Sequence, residues 1–340
     1  MPGLWYSILV RGDYEMIEFI RLVFSKRQAS TVQMLGKRFI RLLESGTLSI
    51  KTFLALALVV GQMFTVLAFD LGMKPRGQKV DMSQFELVWS DEFSGTEVDT
   101  SVWGGHYVWG NAEIRNGGFW HSSMASVNGG NLTIKTEYLP EGAGGKGPGY
   151  YSYGMDTRGR YEQCYGYFEV RCKMPAAQGL WAAFWMLNDD TFIEDGTGMD
   201  GTEVDVFEST FYKDKWYGQG NNIVSGIVFD GYKEASQGMT IGKYRVGGGD
   251  IYDEFHTYGV EWNENIYIFY VDGVETGRTS FGGVSRNAEW LILSVEVSGR
   301  DGIASGDNHG TGVISKTKTW PANFVVDYVR AYQYKDLLPE

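Results

Sequence analysis

Glu203, Asp205 and Glu208 stand in the run Gly201–Thr210, which reads GTEVDVFEST. On a strand, residues two apart share a face, so Glu203 and Asp205 point one way and Val204 and Val206 the other. Glu208 is five positions from Glu203, and a regular strand would send it to the opposite face. One extra residue, a bulge at Val206–Phe207, brings it back beside the other two. Three adjacent carboxylates resist joint ionisation. That suits a site needing one charged and one protonated carboxyl group at neutral pH. Glycosidic bond cleavage has this requirement: one carboxylate acts as nucleophile or base and one carboxylic acid as proton donor. On the triplet alone, a solvated strand face or a calcium site competes with that reading.

The neighbouring segments favour sugar chemistry. In Leu180–Met186, LWAAFWM, the residues Trp181, Ala183 and Trp185 alternate onto one face. Glu169 and Arg171 share a face of the strand before it. Aromatic platforms beside carboxylates and guanidinium donors suit sugar rings, which have apolar faces and polar edges; plain core packing is the alternative for each tryptophan. His256 reads as a buried, hydrogen-bonded strand histidine, since the chain has 4 histidines and no pair at helical ligand spacing.

Many short strands must position these groups. The 46 Gly, 21 Tyr, 19 Phe and 11 Trp favour strands and tight turns over long helices. Strand patterns fall at Asn131–Tyr138, Tyr165–Met174, Leu180–Leu187, Glu203–Glu208, Asn222–Phe229, Phe255–Trp262, Ile266–Asp272, Trp290–Val297 and Phe324–Tyr332. A hairpin is expected over Val260–Glu275, turning at Asn263-Glu264-Asn265. Strands at this spacing without helices imply a β-sandwich or barrel of roughly 250 residues. Cys164 and Cys172, the only cysteines, would lie about 26 Å apart on one strand. They are therefore expected to be free thiols.

Of the 340 residues, 30 are Lys or Arg and 42 are Asp or Glu, a net charge of −12 that argues against nucleic acid. Residues 1–68 hold 8 basic and 4 acidic residues (+4), leaving 22 and 38 (−16) for the rest. Phe53–Phe69, FLALALVVGQMFTVLAF, comes after Lys37, Arg38, Arg41 and Lys51 and ends near Val66-Leu67-Ala68, a small-residue cleavage pattern. It reads as a secretory signal or a short membrane anchor. Either exports the remainder of the chain, and membrane association is expected only if the segment stays uncleaved. The expected organisation is an N-terminal extension over 1–33, with Met34 a plausible start, then a signal or anchor over 34–69. A polar linker over 70–83 and one domain over 84–336 complete it.

The domain resembles glycoside hydrolase family 16. The bulged E-x-D-x-x-E of its active-site strand is Glu203-Val-Asp205-Val-Phe-Glu208. In order along the chain come Trp89-Ser-Asp-Glu-Phe93, Gly110-Asn-Ala-Glu113, Tyr165-Gly-Tyr-Phe-Glu-Val-Arg171, Gly179-Leu-Trp-Ala-Ala-Phe-Trp185, Phe255-His-Thr-Tyr258, Tyr270-Val-Asp-Gly273 and Val326-Asp-Tyr-Val-Arg330. The resemblance implies an all-β jelly-roll sandwich of two curved antiparallel sheets with a concave sugar cleft. It implies retaining hydrolysis of β-glycans, with Glu203 as nucleophile, Glu208 as acid/base and Asp205 tuning their charge. Asn111, Glu169, Arg171 and Trp185 match cleft positions that contact sugar; Trp181 and Glu296 are expected to join them. A structural Ca2+ on the convex side is implied too, held by Asp327 and main-chain oxygens of Glu92 and Gly130.

The chain departs from close relatives at Gly201, where lichenases carry Trp. It departs again at Ser294 and Glu296, where laminarinases carry Asn and a small residue, and at Val228, where many relatives carry His. An added acid at Glu296 and the charge of −16 would disfavour sulfated polymers. The expected substrate is therefore a neutral β-glucan, β-1,3-linked first and mixed β-1,3/1,4-linked second, cleaved by an exported monomer. The alternatives are a glucan-binding lectin-like protein, a transglycosylase remodelling wall polysaccharide, and a hydrolase of a marine galactan such as agar.

Overall fold

A computed structural model of the chain describes residues 77–105, 114–209, 221–247, 249–305, 314 and 320–339. The expected extension, the signal or anchor segment and Asn111 lie outside them. Among the described residues no helix is long and apolar enough to cross a membrane.

The strands, in chain order, are β1 (Phe85–Asp91), β2 (Ile114–Arg115), β3 (Gly118–Trp120), β4 (Ala125–Asn128), β5 (Asn131–Leu139) and β6 (Gly149–Ser152). They continue as β7 (Gly154–Asp156), β8 (Glu162–Gln163), β9 (Gly166–Lys173), β10 (Leu180–Leu187), β11 (Glu203–Ser209) and β12 (Asn222–Phe229). The last six are β13 (Gln237–Arg245), β14 (His256–Asn263), β15 (Ile266–Val271), β16 (Val274–Thr279), β17 (Glu289–Val297) and β18 (Ala322–Tyr334). Two sheets result. One runs β16-β15-β14-β9-β18-β5-β6-β3-β2, with β1 also on β18 and β4 on β5; the other runs β13-β12-β11-β10-β17-β7, with β8 on β17. All strand pairs are antiparallel except β3 with β6. This is the expected all-β jelly-roll sandwich.

Period-two alternation decides what each sheet buries. From the first sheet, Leu132, Ile134, Phe168, Val170, Cys172, Tyr258, Val260, Phe324 and Val326 turn inward; from the second, Ala182, Phe184, Met186, Val204, Phe207, Leu291, Leu293 and Val295 meet them in one core. The Phe207 ring lies 4.6 Å from that of Tyr258, which ties the acidic strand to the opposite sheet. Each such fully buried side chain is worth about 1.5–3 kcal/mol. Cys172 is one of them and Cys164 is half-buried; both are free, as expected.

A smaller apolar cluster sits on the outer face of the second sheet: Trp120, Ala183, Trp185, Leu187, Trp290 and Ile292. On these strands the inward residues already fill the core, so this cluster is the floor of an outer surface rather than a second core.

The expected linker over 70–83 does not hold for its described part. Val80 N–H donates to Gly273 O at 3.0 Å and Glu275 N–H to Gln78 O at 2.9 Å, while Lys79 bridges Val274. The segment pairs with β16, an edge strand whose open backbone groups would otherwise face water. The expected hairpin is β14–β15. Asn263 Oδ1 closes its turn by accepting from Asn265 N–H at 2.9 Å and Ile266 N–H at 3.2 Å.

Candidate active site

The bulge lies where the acidic run requires it. Against β10, Phe184 pairs with Phe207 but Trp185 pairs with Asp205; against β12, Asp205 pairs with Gly226 but Glu208 with Val224. Val206 is the extra residue, and it and Phe207 are both buried in the core. Glu203, Asp205 and Glu208 therefore leave the same outer face. Beside them on β10 stand Trp181, Ala183 and Trp185, and beyond those on β17 stand Ile292, Ser294 and Glu296. Trp185 Nε1 donates to Ser294 Oγ at 3.1 Å, and the Trp181 indole donates to Glu208.

Burial dominates the electrostatics. Asp205 is 7% exposed, and burial first, then Glu208 and Glu203, hold its carboxyl well above the usual carboxylate range. Glu203 and Glu208 are likewise pushed up, burial again the largest cause. Specific donors act in the other direction: the Tyr232 hydroxyl on Glu203 and the Trp181 indole on Glu208 each favour the ionised form. The three groups titrate together, so the face holds fewer than three charges at neutral pH. Asp205, between the two glutamates, is the most deeply buried of the three.

Four neighbours of the carboxylates were not evident in the sequence. Tyr232, on the loop after β12, reaches back to Glu203. Arg115 and Asn116 both donate to Glu296, and Trp120 donates through Nε1 to Val295 O at 2.9 Å. Arg115, Asn116 and Trp120 are far in sequence from both Glu203 and Glu296, and Tyr232 sits in a polar turn; only the fold brings them together.

Two expected contacts fall elsewhere. Glu169 and Arg171 lie on β9 in the other sheet, between inward-facing Phe168, Val170 and Cys172, so they point outward on the far side of the sandwich. Glu169 accepts from the Tyr167 hydroxyl at 2.8 Å and the Tyr328 hydroxyl at 2.7 Å, and Arg171 pairs with Asp327. Alternation gives the shared face of Glu169 and Arg171 correctly, but it cannot tell which sheet their strand joins. Glu296 does reach the cleft, but not as an isolated acid, because Arg115 neutralises it.

At the implied calcium position, Asp327 accepts from Arg171, and the Glu92 side chain is held by Arg330 at 2.8 and 2.9 Å. Gly129 and Gly130, both at positive φ, form the β4–β5 turn. One step beyond the pair Leu132–Val326 come Asn131 and Asp327, and Asn131 Oδ1 is buried without a partner. This donor set fits a hard cation held mostly by neutral oxygens, with Asp327 as its one carboxylate. Among the described residues there is no group of three or more His, Cys, Asp or Glu side chains able to hold a metal. His256, as expected, is buried and bonded, its Nδ1 lying 2.9 Å from Asp272 Oδ2.

Residues 85–334 match the family model of the β-porphyranase A–D glycoside hydrolase family 16 domain. The chain belongs to glycoside hydrolase family 16. Within the family it is 31% identical over 267 residues to a β-glucanase of Rhodothermus marinus, covering 74% of this chain and 86% of that one. It is 32% identical over 218 residues to β-porphyranase B of Zobellia galactanivorans, covering 60% and 71%. The catalytic domain of an endo-1,3-β-glucanase (laminarinase) from Thermotoga petrophila superposes with a TM-score of 0.58 at 27% identity, covering 74% of this chain and 98% of that domain.

Proposed function

We propose that the chain is a retaining, endo-acting hydrolase of β-glucan, with β-1,3 linkages preferred and mixed β-1,3/1,4 linkages next. The observation that carries this reading is the bulge at Val206, which sets Glu203 and Glu208 on one face beside the Trp181–Trp185 row. Glu203, which the Tyr232 hydroxyl and Arg115 both draw toward ionisation, attacks the anomeric carbon. Glu208 donates its proton to the leaving oxygen, then takes one from the water that hydrolyses the glycosyl-enzyme. Asp205 lies between them and keeps a proton within the group. Trp181 and Trp185 offer flat apolar surface to sugar faces. The likeness to the Rhodothermus β-glucanase and the Thermotoga laminarinase domain supports glucan as substrate.

A second reading, hydrolysis of a sulfated galactan of the porphyran type, is favoured by the family model and by β-porphyranase B. The retained carboxylates argue against a lectin. Reducing-end release from laminarin, lichenan, agarose, carrageenan and porphyran, with product lengths resolved, tests the assignment. Internal cleavage of laminarin supports it, cleavage of porphyran alone replaces it with the second reading, and longer products than substrates point to transglycosylation.

Outside the cleft, Phe53–Phe69 with its basic flank supports export, as a secreted or surface-anchored enzyme. Asp327, Asn131 and the main chain of Glu92 and Gly130 would hold a structural calcium, which supplies cross-linking of β5, β18 and the end of β1 and takes no part in the chemistry.

A further inference from the structure

Two arginines on the β17 side of the cleft are each matched by a carboxylate. Arg115 donates to Glu296 through Nε at 3.0 Å and also through Nη2, while Asn116 donates to the second oxygen. Arg158, 5.0 Å from the centroid of Trp290, donates to the two oxygens of Asp189 at 2.5 and 2.6 Å.

The fold builds the first pair. Asn116 sits at φ 50 in the β2–β3 turn and bridges Val297, and Gly117 N–H donates to Val297 O at 2.8 Å. A Cβ on Gly117 would stand 2.1 Å from Ser298 O, so only glycine lets the turn dock on the end of β17. Docked there, Arg115 lies over Trp120 at 5.2 Å, and the Glu296 side chain is only 10% exposed.

We propose that Glu296 is a specificity-determining residue: by taking up the charge of Arg115, it makes this side of the cleft select an uncharged sugar unit and reject a sulfated one. The inference rests on the chain being a β-glycan hydrolase and deepens that reading. A sulfate entering the cleft loses its hydration and needs an uncommitted cation to offset the loss. Here the guanidinium is committed to Glu296, and a sulfate reaching it would lie against that carboxylate, like charge on like charge. Sugar hydroxyls face no such conflict, because the pair offers them both donors and acceptors.

The test titrates inorganic sulfate by calorimetry into the wild-type protein, Glu296→Gln and the double variant Glu296→Gln/Arg115→Gln, with laminarin hydrolysis measured alongside. Sulfate should bind Glu296→Gln at least about tenfold more tightly than wild type, as expected for a charge-assisted hydrogen bond set free. The double variant should lose that gain. Equal sulfate affinity in wild type and Glu296→Gln overturns the proposal, as does a gain that survives in the double variant. Should Glu296→Gln fail to fold, wild type and Arg115→Gln decide: saturable sulfate binding abolished by Arg115→Gln overturns the proposal, and no saturable binding by wild type supports it. Absence of laminarin hydrolysis in a protein whose sulfate response depends on Glu296 ends the glucan reading and leaves the charge selection standing.

Discussion

The Tyr232 hydroxyl donates to Glu203 Oε2 from outside the sheet that carries Glu203. The residue paired with Glu203 across the β11–β12 ladder is Val228, which has nothing to donate. The tyrosine comes instead from the turn after β12. That turn is held by Asp230, which accepts from Asp195 and Gly196 N–H at 3.2 Å each and from Gln237 Nε2 at 3.0 Å. The Tyr232 ring meets Phe192 edge-on at 5.4 Å. The proposed nucleophile, which burial would otherwise neutralise, thus gains one strong donor from a surface loop.

Tyr232→Phe keeps the ring contact and removes only the donor. A hydrogen bond to a charged group is worth about 1.5–3 kcal/mol, so kcat/KM should fall about 10- to 100-fold. Without the donor Glu203 protonates more readily, and the acid limb of the pH–kcat/KM profile should move to higher pH. A profile that keeps its position while activity falls would assign Tyr232 to packing alone.

The two glutamates should separate under chemical rescue. Glu208→Ala should lose about 10²–10⁴-fold on polysaccharide and, with azide and an activated aryl glycoside, yield the β-glycosyl azide. Glu203→Ala should yield the α-azide. Swapped products exchange the roles, and wild-type products of inverted configuration by NMR would falsify the retaining mechanism.

Much of the site could be read from the chain because it is local. Glu203, Asp205 and Glu208 lie within one strand, and the hydrophobic partners of Val204 and Phe207 force the bulge that period-two alternation demands. Trp181 and Trp185 emerge from the same periodicity one strand earlier. The same rule gave Glu169 and Arg171 their shared face, but the resemblance set them in the cleft, and alternation, which gives two faces and not the sheet a strand joins, could not correct it. Arg115 and Glu296 are 181 residues apart, and their pairing depends on a turn docking across β17. The edge strand β16, VETGRT, escaped notice because all its residues but Thr279 are half-buried or exposed and imprint no alternation.

The proposed calcium gives a thermal readout. An ion bound only by the folded state stabilises it in proportion to the logarithm of its excess over Kd, about 2.7 kcal/mol at a hundredfold excess. Chelator should lower Tm, and added calcium should restore it. Asp327→Ala should abolish the response, and Asn131→Ala should weaken it. A bound ion would compete with Arg171 for Asp327, so Arg171→Ala should sharpen the calcium dependence. Superimposable melts with and without chelator would remove the ion and leave Asp327 paired with Arg171.

Glu289 provides a stability test apart from catalysis. It opens β17 fully buried; its Oε1 accepts from Thr202 N–H at 3.4 Å, and its Oε2 has no partner. Burial pushes its carboxyl up to about 8, against the hydrogen bonds from Ser285 and Thr202. The unfolded chain would ionise this group near the ordinary glutamate value of about 4.3. Between those limits the folded state binds the extra proton, so stability falls as pH rises from about 4.3 and the loss is complete above about 8. Glu289→Gln cannot ionise, so it should remove this component of the pH dependence. The drop in Tm between pH 5 and pH 9 should be smaller in the variant by at least about 5 °C, at roughly 2–4 °C per kcal/mol for a domain of this size. Parallel melting curves for variant and wild type across that range would show that Glu289 titrates alike in the folded and unfolded chain.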